Sequence, residues 1–303
     1  MLGYGSQGRA IALNLRDSGY NVIIGLKSRS RSRIQARQDG FRQVFTARQA
    51  IQKADHIILA LPDHLHSRIY KAEIQKFLDR GKTLVFLHGL SIHFGLIVPP
   101  KDCDVIMIAP HAPGIKVREK YLTDRSLSAF YAVYQDGSGQ ARRKAFALAE
   151  AIGFRRSRLV PSSFEDEAIG DLFGEQAVLC GGLPELILNG FEVLVEKGLP
   201  PEQAYLEVAY QLDLIIHLIK QYGIEGMYKR ISVTARYGSA LAGRKIVDAS
   251  VKNRMRLLYD QIKSGKFAGK LDRLLASDIR DIRRAIKKRV PASFEKSARK
   301  YSK

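Results

Sequence analysis

The chain has 303 residues, 46% of them hydrophobic and 26% charged, the balance of a soluble globular protein long enough for two domains. Two cysteines, Cys103 and Cys180, give neither a disulfide framework nor thiolate metal spacing and point to the cytoplasm; no apolar run reads as reaching the ~18 residues that span a bilayer. Fifty Lys+Arg against 30 Asp+Glu leave a net charge of +20, so nucleic acid, a membrane surface or anionic metabolites are the partners to weigh.

Gly3-Tyr4-Gly5-Ser6-Gln7-Gly8 reads G-x-G-x-x-G and opens a helical stretch of Ile11, Leu13 and Leu15 with small Ala10 and Ala12. That spacing lets backbone approach a pyrophosphate at a helix N-terminus, which assigns these six residues to a dinucleotide. The motif demands a strand before it, so the first strand of the sheet is expected to be missing. Apolar runs at 21–25, 56–61, 83–87, 105–109 and 129–134 alternate with helical stretches near 31–39, 46–54, 64–79 and 138–152. Strand and helix alternating in this way predict an α/β fold with a doubly wound, Rossmann-type parallel sheet over residues 1–161.

At the end of the second strand an Asp or Glu would bind the ribose of NAD. Here Lys27-Ser28-Arg29-Ser30-Arg31-Ser32-Arg33 holds four cations, three hydroxyls and no carboxylate. That chemistry suits a 2′-phosphate, so NADPH is the expected cofactor, with Lys27, Arg29, Ser30, Arg31 and Ser32 around it.

From Phe164 onward no strand is read, only helices at about 174–197, 201–221, 246–264 and 270–289, so residues 162–303 form an all-helical domain. Asp171 and Glu175 stand at i and i+4 of one helix among Leu172, Phe173, Ala177, Val178 and Leu179. Glu207 also lies inside an apolar run; carboxylates so lodged need a partner or a cation, and oxygen-only ligands suit Mg2+. From Arg280 to Lys303 ten Lys/Arg face two acids, which reads as a solvated, partly frayed basic tail. Of the seven histidines, His93 reads as packing, His56 opens a strand, and His64, His66 and His217 read as ordinary surface or helix positions.

GYGSQG, LPD (61–63), HG-x-x-IHFG (88–95), VPPKD-x-DVIM-x-AP (98–110), DLFGEQAVLCGG (171–182), IS-x-TA-x-YG (231–238) and I-x-SGKFA (262–268) together resemble the ketol-acid reductoisomerases, in their short form. The resemblance implies an NADPH-binding Rossmann domain, a knotted helical domain, and a homodimer or higher oligomer whose active sites draw on both subunits. It implies two Mg2+ ions, held by Asp171, Glu175 and the partner subunit's Glu207, with Gln211 at the position of the family's fourth acid. His88 matches the active-site histidine, Ser232 the substrate serine, and Ser30 and Ser32 the 2′-phosphate serines. Leu61, Pro62, Asp63 and Gly114 join the cofactor site. His111 stands where the family has lysine and counts with His88, Glu207 and Gln211 among the catalytic positions.

The implied reaction isomerises a 2-hydroxy-3-keto acid such as 2-acetolactate and reduces it, in valine and isoleucine synthesis. Gln211 removes a negative charge from beside two dications, which should weaken the second ion. His111 removes a cation at the same time. Val233, Arg236, Ile169, Gly170 and the basic end also depart from the pattern. A 2-keto acid reductase lacking the isomerase step, and a non-catalytic NADPH-binding protein whose tail contacts a polyanion, remain open. Association with nucleic acid is expected to be weak and nonspecific, and no membrane partner is expected.

Overall fold

The computed structural model describes residues 1–78 and 81–302. It divides into two compact units, Met1–Asp171 with Gly265–Arg273, and Leu172–Ser264 with the residues from Leu274 onward.

The first unit is built on seven strands: β1 (Ile24–Gly25), β2 (Val44–Phe45), β3 (His56–Leu59), β4 (Thr83–Phe86), β5 (Asp104–Pro110), β6 (Ala129–Gln135) and β7 (Leu159–Pro161). β2 pairs with β1, and β3 to β7 pair in sequence order. Leu2 fills the position between β1 and β3 through parallel bridges to Gly25 and Leu59. Its N–H donates to Ile58 O at 2.8 Å and its carbonyl accepts from Ala60 N at 2.8 Å. The strand expected to be missing is thus represented by a short stretch that joins the two halves of the sheet.

The expectation of an all-parallel sheet is corrected at β6, which runs antiparallel to β5. The intervening helix does not carry the chain back along the sheet: Ala129 pairs with Pro110, so β6 starts beside the end of β5. β7, parallel to β6, was not foreseen; three residues ending in proline are too short for periodicity to mark.

Helices α1 (Ser6–Asp17), α2 (Ser32–Gln38), α3 (Ala47–Lys53), α4 (His66–Ile69), α5 (Leu90–His93), α6 (Gly114–Leu122) and α7 (Ala141–Ile152) follow the strands. Ile58, Val85, Ile106 and Ile108 join one core with Ile11, Leu15 and Leu148; Ile57, Leu59, Leu84, Phe86 and Met107 join another with Ile51, Tyr70 and Phe164. Alternate residues of each strand therefore serve opposite faces, and burial on both sides explains the nearly unbroken apolar runs. The helix expected over 64–79 is replaced by 3-10 turns at Asp63–Leu65 and Gln75–Phe77, α4, and a π-turn at Tyr70–Ile74; residue 79 lies outside the described residues.

In the second unit come α9 (Gly182–Glu196), α10 (Pro201–Tyr205), α11 (Leu212–Tyr228), α12 (Val233–Ile246), α13 (Ala249–Lys263), α15 (Ala276–Arg289) and α16 (Ala292–Tyr301). α8 (Phe164–Phe173) precedes them, and α14 (Lys266–Asp272) returns to the first unit beside the Asp63–Leu65 turn. π-turns occupy Gly174–Leu179 and Leu206–Tyr210, and α11 is broken at Gly223.

The basic end is not a frayed tail. Arg289 donates to Glu185 Oε2 at 2.9 Å, Glu192 Oε1 at 2.7 Å and Asn189 Oδ1 at 3.1 Å, all on α9. Phe294 lies edge-on to Phe191 and Tyr205, and Tyr301 stacks on Tyr205. Aromatic residues spaced through α16 thus give it a buried side that charge counting overlooks. A second correction concerns apolar length: the helical run Phe164–Glu196, with a mean hydropathy of 1.6, is long and apolar enough to cross a membrane by length and composition. Its acids are scattered, so a search for an uninterrupted apolar run passes over it.

Candidate active site

The functional side chains of the first unit stand where its strands end. Gly3 follows Leu2 at φ +95°, and a Cβ there would meet Ala60 O at 2.3 Å. Gly8 lets α1 lie on the turn, since its Cβ would fall 2.8 Å from Gly3 O. At Gly5, the N-cap of α1, added carbon would meet nothing within 4 Å, and no side chain caps the helix. Open space over uncapped N–H groups is the arrangement a pyrophosphate needs. Gly114 closes the far side; a Cβ there would sit 2.2 Å from Ser6 O. Gln7 Nε2 donates to Ala112 O at 2.7 Å, tying the glycine turn to the approach to α6. Tyr4 is anchored the other way, donating from its hydroxyl to Asp39 Oδ2 at 2.8 Å. The residues present fit a dinucleotide.

Of the cations after β1, Arg33 is withdrawn from solvent recognition. It donates to Phe45 O at 3.0 Å and Val44 O at 2.9 Å, fastening β2. Lys27, Arg29 and Arg31 remain exposed, with Ser30 and Ser32 half-buried beside them.

The chemical centre follows β4. His88 Nδ1 lies 2.8 Å from Glu167 Oε2, and the same oxygen accepts from Gly89 N at 2.5 Å. His88 Nε2 faces Asp171 Oδ2 at 3.7 Å. Glu167 and Asp171, one turn apart on α8, thus bracket the ring. The approach needs Gly89, whose Cβ would lie 2.2 Å from Phe164 O. Burial works against a charged His88, but the Glu167 hydrogen bond and the charges of Glu167, Asp63 and Asp171 raise its pKa to about 9. Burial also pushes the Asp171 carboxyl up, opposed by His88. His111 lies after β5, its Nδ1 2.9 Å from Ser128 Oγ and its ring edge-on to Phe130 at 4.2 Å. Burial lowers its pKa, against the pull of Glu167 and Asp171, which keeps this ring neutral at pH 7.

Sequence reading missed Glu167 as a site residue: it stood in a reduced acidic cluster with nothing in the chain to show that it meets His88. It also misread His66, which is buried at 3% exposure. The expected i, i+4 acid pair needs correction as well. Asp171 lies on α8, but Glu175 lies in the following π-turn, where Cys180 N donates to Glu175 O in i→i+5 fashion at 2.8 Å. Gly174 and the ring-bearing Phe173 at the junction gave no sign of this change of phase.

Glu207, Gln211 and Ser232 belong to the second unit. Glu207 lies in the other π-turn and is exposed, as is Gln211, whose Nε2 donates to Leu206 O at 3.3 Å. Ser232 is the N-cap of α12, its Oγ accepting from Ala235 N at 3.1 Å. Among the described residues of a single chain, no three acidic, histidine or cysteine side chains gather closely enough to hold a metal ion. The donor set is nevertheless that of a hard cation: carboxylates, with the Asp171 side chain 57% exposed.

A sheet with a phosphate-binding glycine turn, and a histidine held between carboxylates at the ends of its strands, defines a dinucleotide-dependent oxidoreductase with an added helical domain. Residues 1–158 match the acetohydroxy acid isomeroreductase NADPH-binding domain, and residues 164–300 match the ketol-acid reductoisomerase C-terminal domain. The chain belongs to the ketol-acid reductoisomerase family. It is 46% identical to the ketol-acid reductoisomerase (NADP(+)) of Pyrococcus abyssi over 88% of this chain and 80% of that one. With the Pyrobaculum arsenaticum enzyme of the same name the identity is 49%, over 88% and 81%. A solved NADH-preferring ketol-acid reductoisomerase from an uncultured archaeon superposes with a TM-score of 0.92 at 40% identity, covering 99% of this chain and 92% of that one. A 1-pyrroline-5-carboxylate reductase from Streptococcus pyogenes, 17% identical at a TM-score of 0.56 over 87% and 96%, shares the fold alone.

Proposed function

We propose that the protein is an NADPH- and Mg2+-dependent ketol-acid reductoisomerase that converts 2-acetolactate-type acids to 2,3-dihydroxy acids, in the cytoplasm, for valine and isoleucine synthesis. The observation that carries this reading is His88 held between Glu167 and Asp171 at 2.8 and 3.7 Å. When bound, NADPH supplies the hydride and Mg2+ the Lewis acidity. Asp171 and Glu175, with Glu207 of a second copy, are the residues that would hold the metal. His88 stores a proton beside them, and Glu167 fixes which edge of the ring faces Asp171. The glycine turn would take the pyrophosphate, Leu61–Asp63 and Gly114 would border the cofactor, and the exposed Arg29 and Arg31 with Ser30 and Ser32 would take the 2′-phosphate. The solvent-facing Leu179, Leu186 and Val193, at intervals of seven residues, support burial against a second copy. Ser232, at a helix N-terminus, would hydrogen-bond the substrate carboxylate.

One observation favours a second reading, reduction of 2-keto acids without isomerisation: Gln211 spends its amide N–H on Leu206 O and brings no charge. NADPH oxidation with 2-acetolactate and with 3-hydroxy-3-methyl-2-oxobutanoate across a Mg2+ titration separates the two. Turnover of both supports the first reading, turnover of the keto acid alone the second, and turnover of neither overturns both.

A further inference from the structure

His66 is a buried titratable side chain to which the proposed chemistry gives no task. It lies at 3% exposure with its ring edge-on to Phe86, at the beginning of α4. Nε2 lies 2.9 Å from Leu61 O, and Nδ1 lies 2.9 Å from Ser91 Oγ. A carbonyl can only accept, so Nε2 carries the hydrogen. In the neutral ring Nδ1 is then the acceptor for the Ser91 hydroxyl. Burial lowers the pKa of His66, opposed by the charge of Asp63, which maintains that neutral form at pH 7. Its two partners belong to different parts of the site. Leu61 opens the Leu61–Asp63 turn after β3, and Ser91, itself 1% exposed, sits in α5 directly after His88 and Gly89.

We propose that His66 is a positioning residue that sets the Leu61–Asp63 turn of the cofactor site against the His88 turn, through one donor and one acceptor on a single rigid ring. The inference rests on the reading that Leu61–Asp63 border the cofactor and that His88 serves the reaction. An imidazole wedged between two loops conveys a fixed spacing that two separate hydrogen bonds to water would not, and misplacement by about 1 Å can cost two orders of magnitude in rate. A glutamine offers the same pair, an N–H for Leu61 O and a carbonyl oxygen for Ser91, whereas leucine fills the space and offers neither.

The test compares wild type with His66→Leu, His66→Gln and Ser91→Ala, reading the NADPH dissociation constant by cofactor fluorescence without Mg2+, kcat and KM for NADPH oxidation with 2-acetolactate, and Tm. In His66→Leu the NADPH dissociation constant should rise and kcat at saturating NADPH should fall at least tenfold. His66→Gln should recover both to within about threefold of wild type, and adding Ser91→Ala to His66→Leu should cost nothing further. An unchanged kcat in folded His66→Leu, or a His66→Gln that is folded and as impaired as His66→Leu, overturns the proposal. If His66→Leu does not fold, His66→Gln and Ser91→Ala decide by the same split. A wild-type protein that binds NADPH but turns over no substrate would instead sink the functional reading, and the NADPH constants of the variants would still decide the role of His66.

Discussion

Replacing Glu167 with glutamine isolates the charge that holds His88. Glu167 is 5% exposed and His88 15% exposed, so solvent screens the pair little. Raising the His88 pKa from 6.5 to about 9 corresponds to about 3 kcal/mol of favourable interaction with the protonated ring, at about 1.36 kcal/mol per pH unit. Because the folded-state value lies above the unfolded one, this stabilisation is complete below pH 6.5 and is lost as pH rises through about 9. The introduced amide oxygen would still accept from Gly89 N and from a neutral His88, so the geometry should survive. In EDTA-treated protein, denaturant unfolding at pH 6 should therefore find Glu167→Gln less stable by up to about 3 kcal/mol. At pH 10 the gap should close, and the His88 ring resonance should titrate near 9 in wild type and below 6.5 in the variant. A wild-type His88 that titrates near 6.5, or an equal stability gap at pH 6 and pH 10, would refute the reasoning.

Replacing Arg29, Ser30, Arg31 and Ser32 together with alanine should erase an NADPH preference of at least tenfold over NADH while leaving Tm unchanged; equal dissociation constants in the wild type would end that account. Gly114→Ala forces a carbon to within 2.2 Å of Ser6 O and should lower Tm and weaken NADPH binding, whereas Gly5→Ala, with open space above it, should leave the cofactor-free Tm nearly unchanged and impair NADPH binding alone. Gln211→Glu combined with His111→Lys should lower the Mg2+ concentration for half-maximal turnover of 2-acetolactate, and no change would mark Gln211 as innocent. Arg289→Ala should lower Tm without altering NADPH affinity, since its three acceptors all lie on α9.

What could be read from the residues alone was whatever has a fixed local pattern. The glycine turn was legible because only Gly tolerates Gly3's positive φ and the close contact with Ala60 O. The strands after it were legible because burial on both faces leaves few polar residues to interrupt them. Direction is another matter: nothing in Ala129–Gln135 says whether it enters the sheet from the top or the bottom, which depends on how far α6 carries the chain. Partners distant in sequence were equally hidden. His88 meets Glu167 across 79 positions and His66 meets Ser91 across 25, and both carboxylate and imidazole look ordinary in their own neighbourhoods. Arg33 failed the opposite way: beside other cations it looked like part of the phosphate grip, until its carbonyl acceptors on β2 claimed it.

The π-turn at Leu206–Tyr210 has a bearing on how this protein can change over time. A turn closed by i→i+5 bonding contains one residue more than the regular ladder can use. Deleting a single residue there would restore ordinary helix and cost the fold little, yet it would swing every later side chain of that helix by about 100°. Glu207 and Gln211 would then point along different lines relative to one another and to α11. Helical regularity and the aim of the acid therefore pull in opposite directions at this turn. The extra residue marks a place where an alignment gap of one position would separate chains that keep the same helices but not the same reaction.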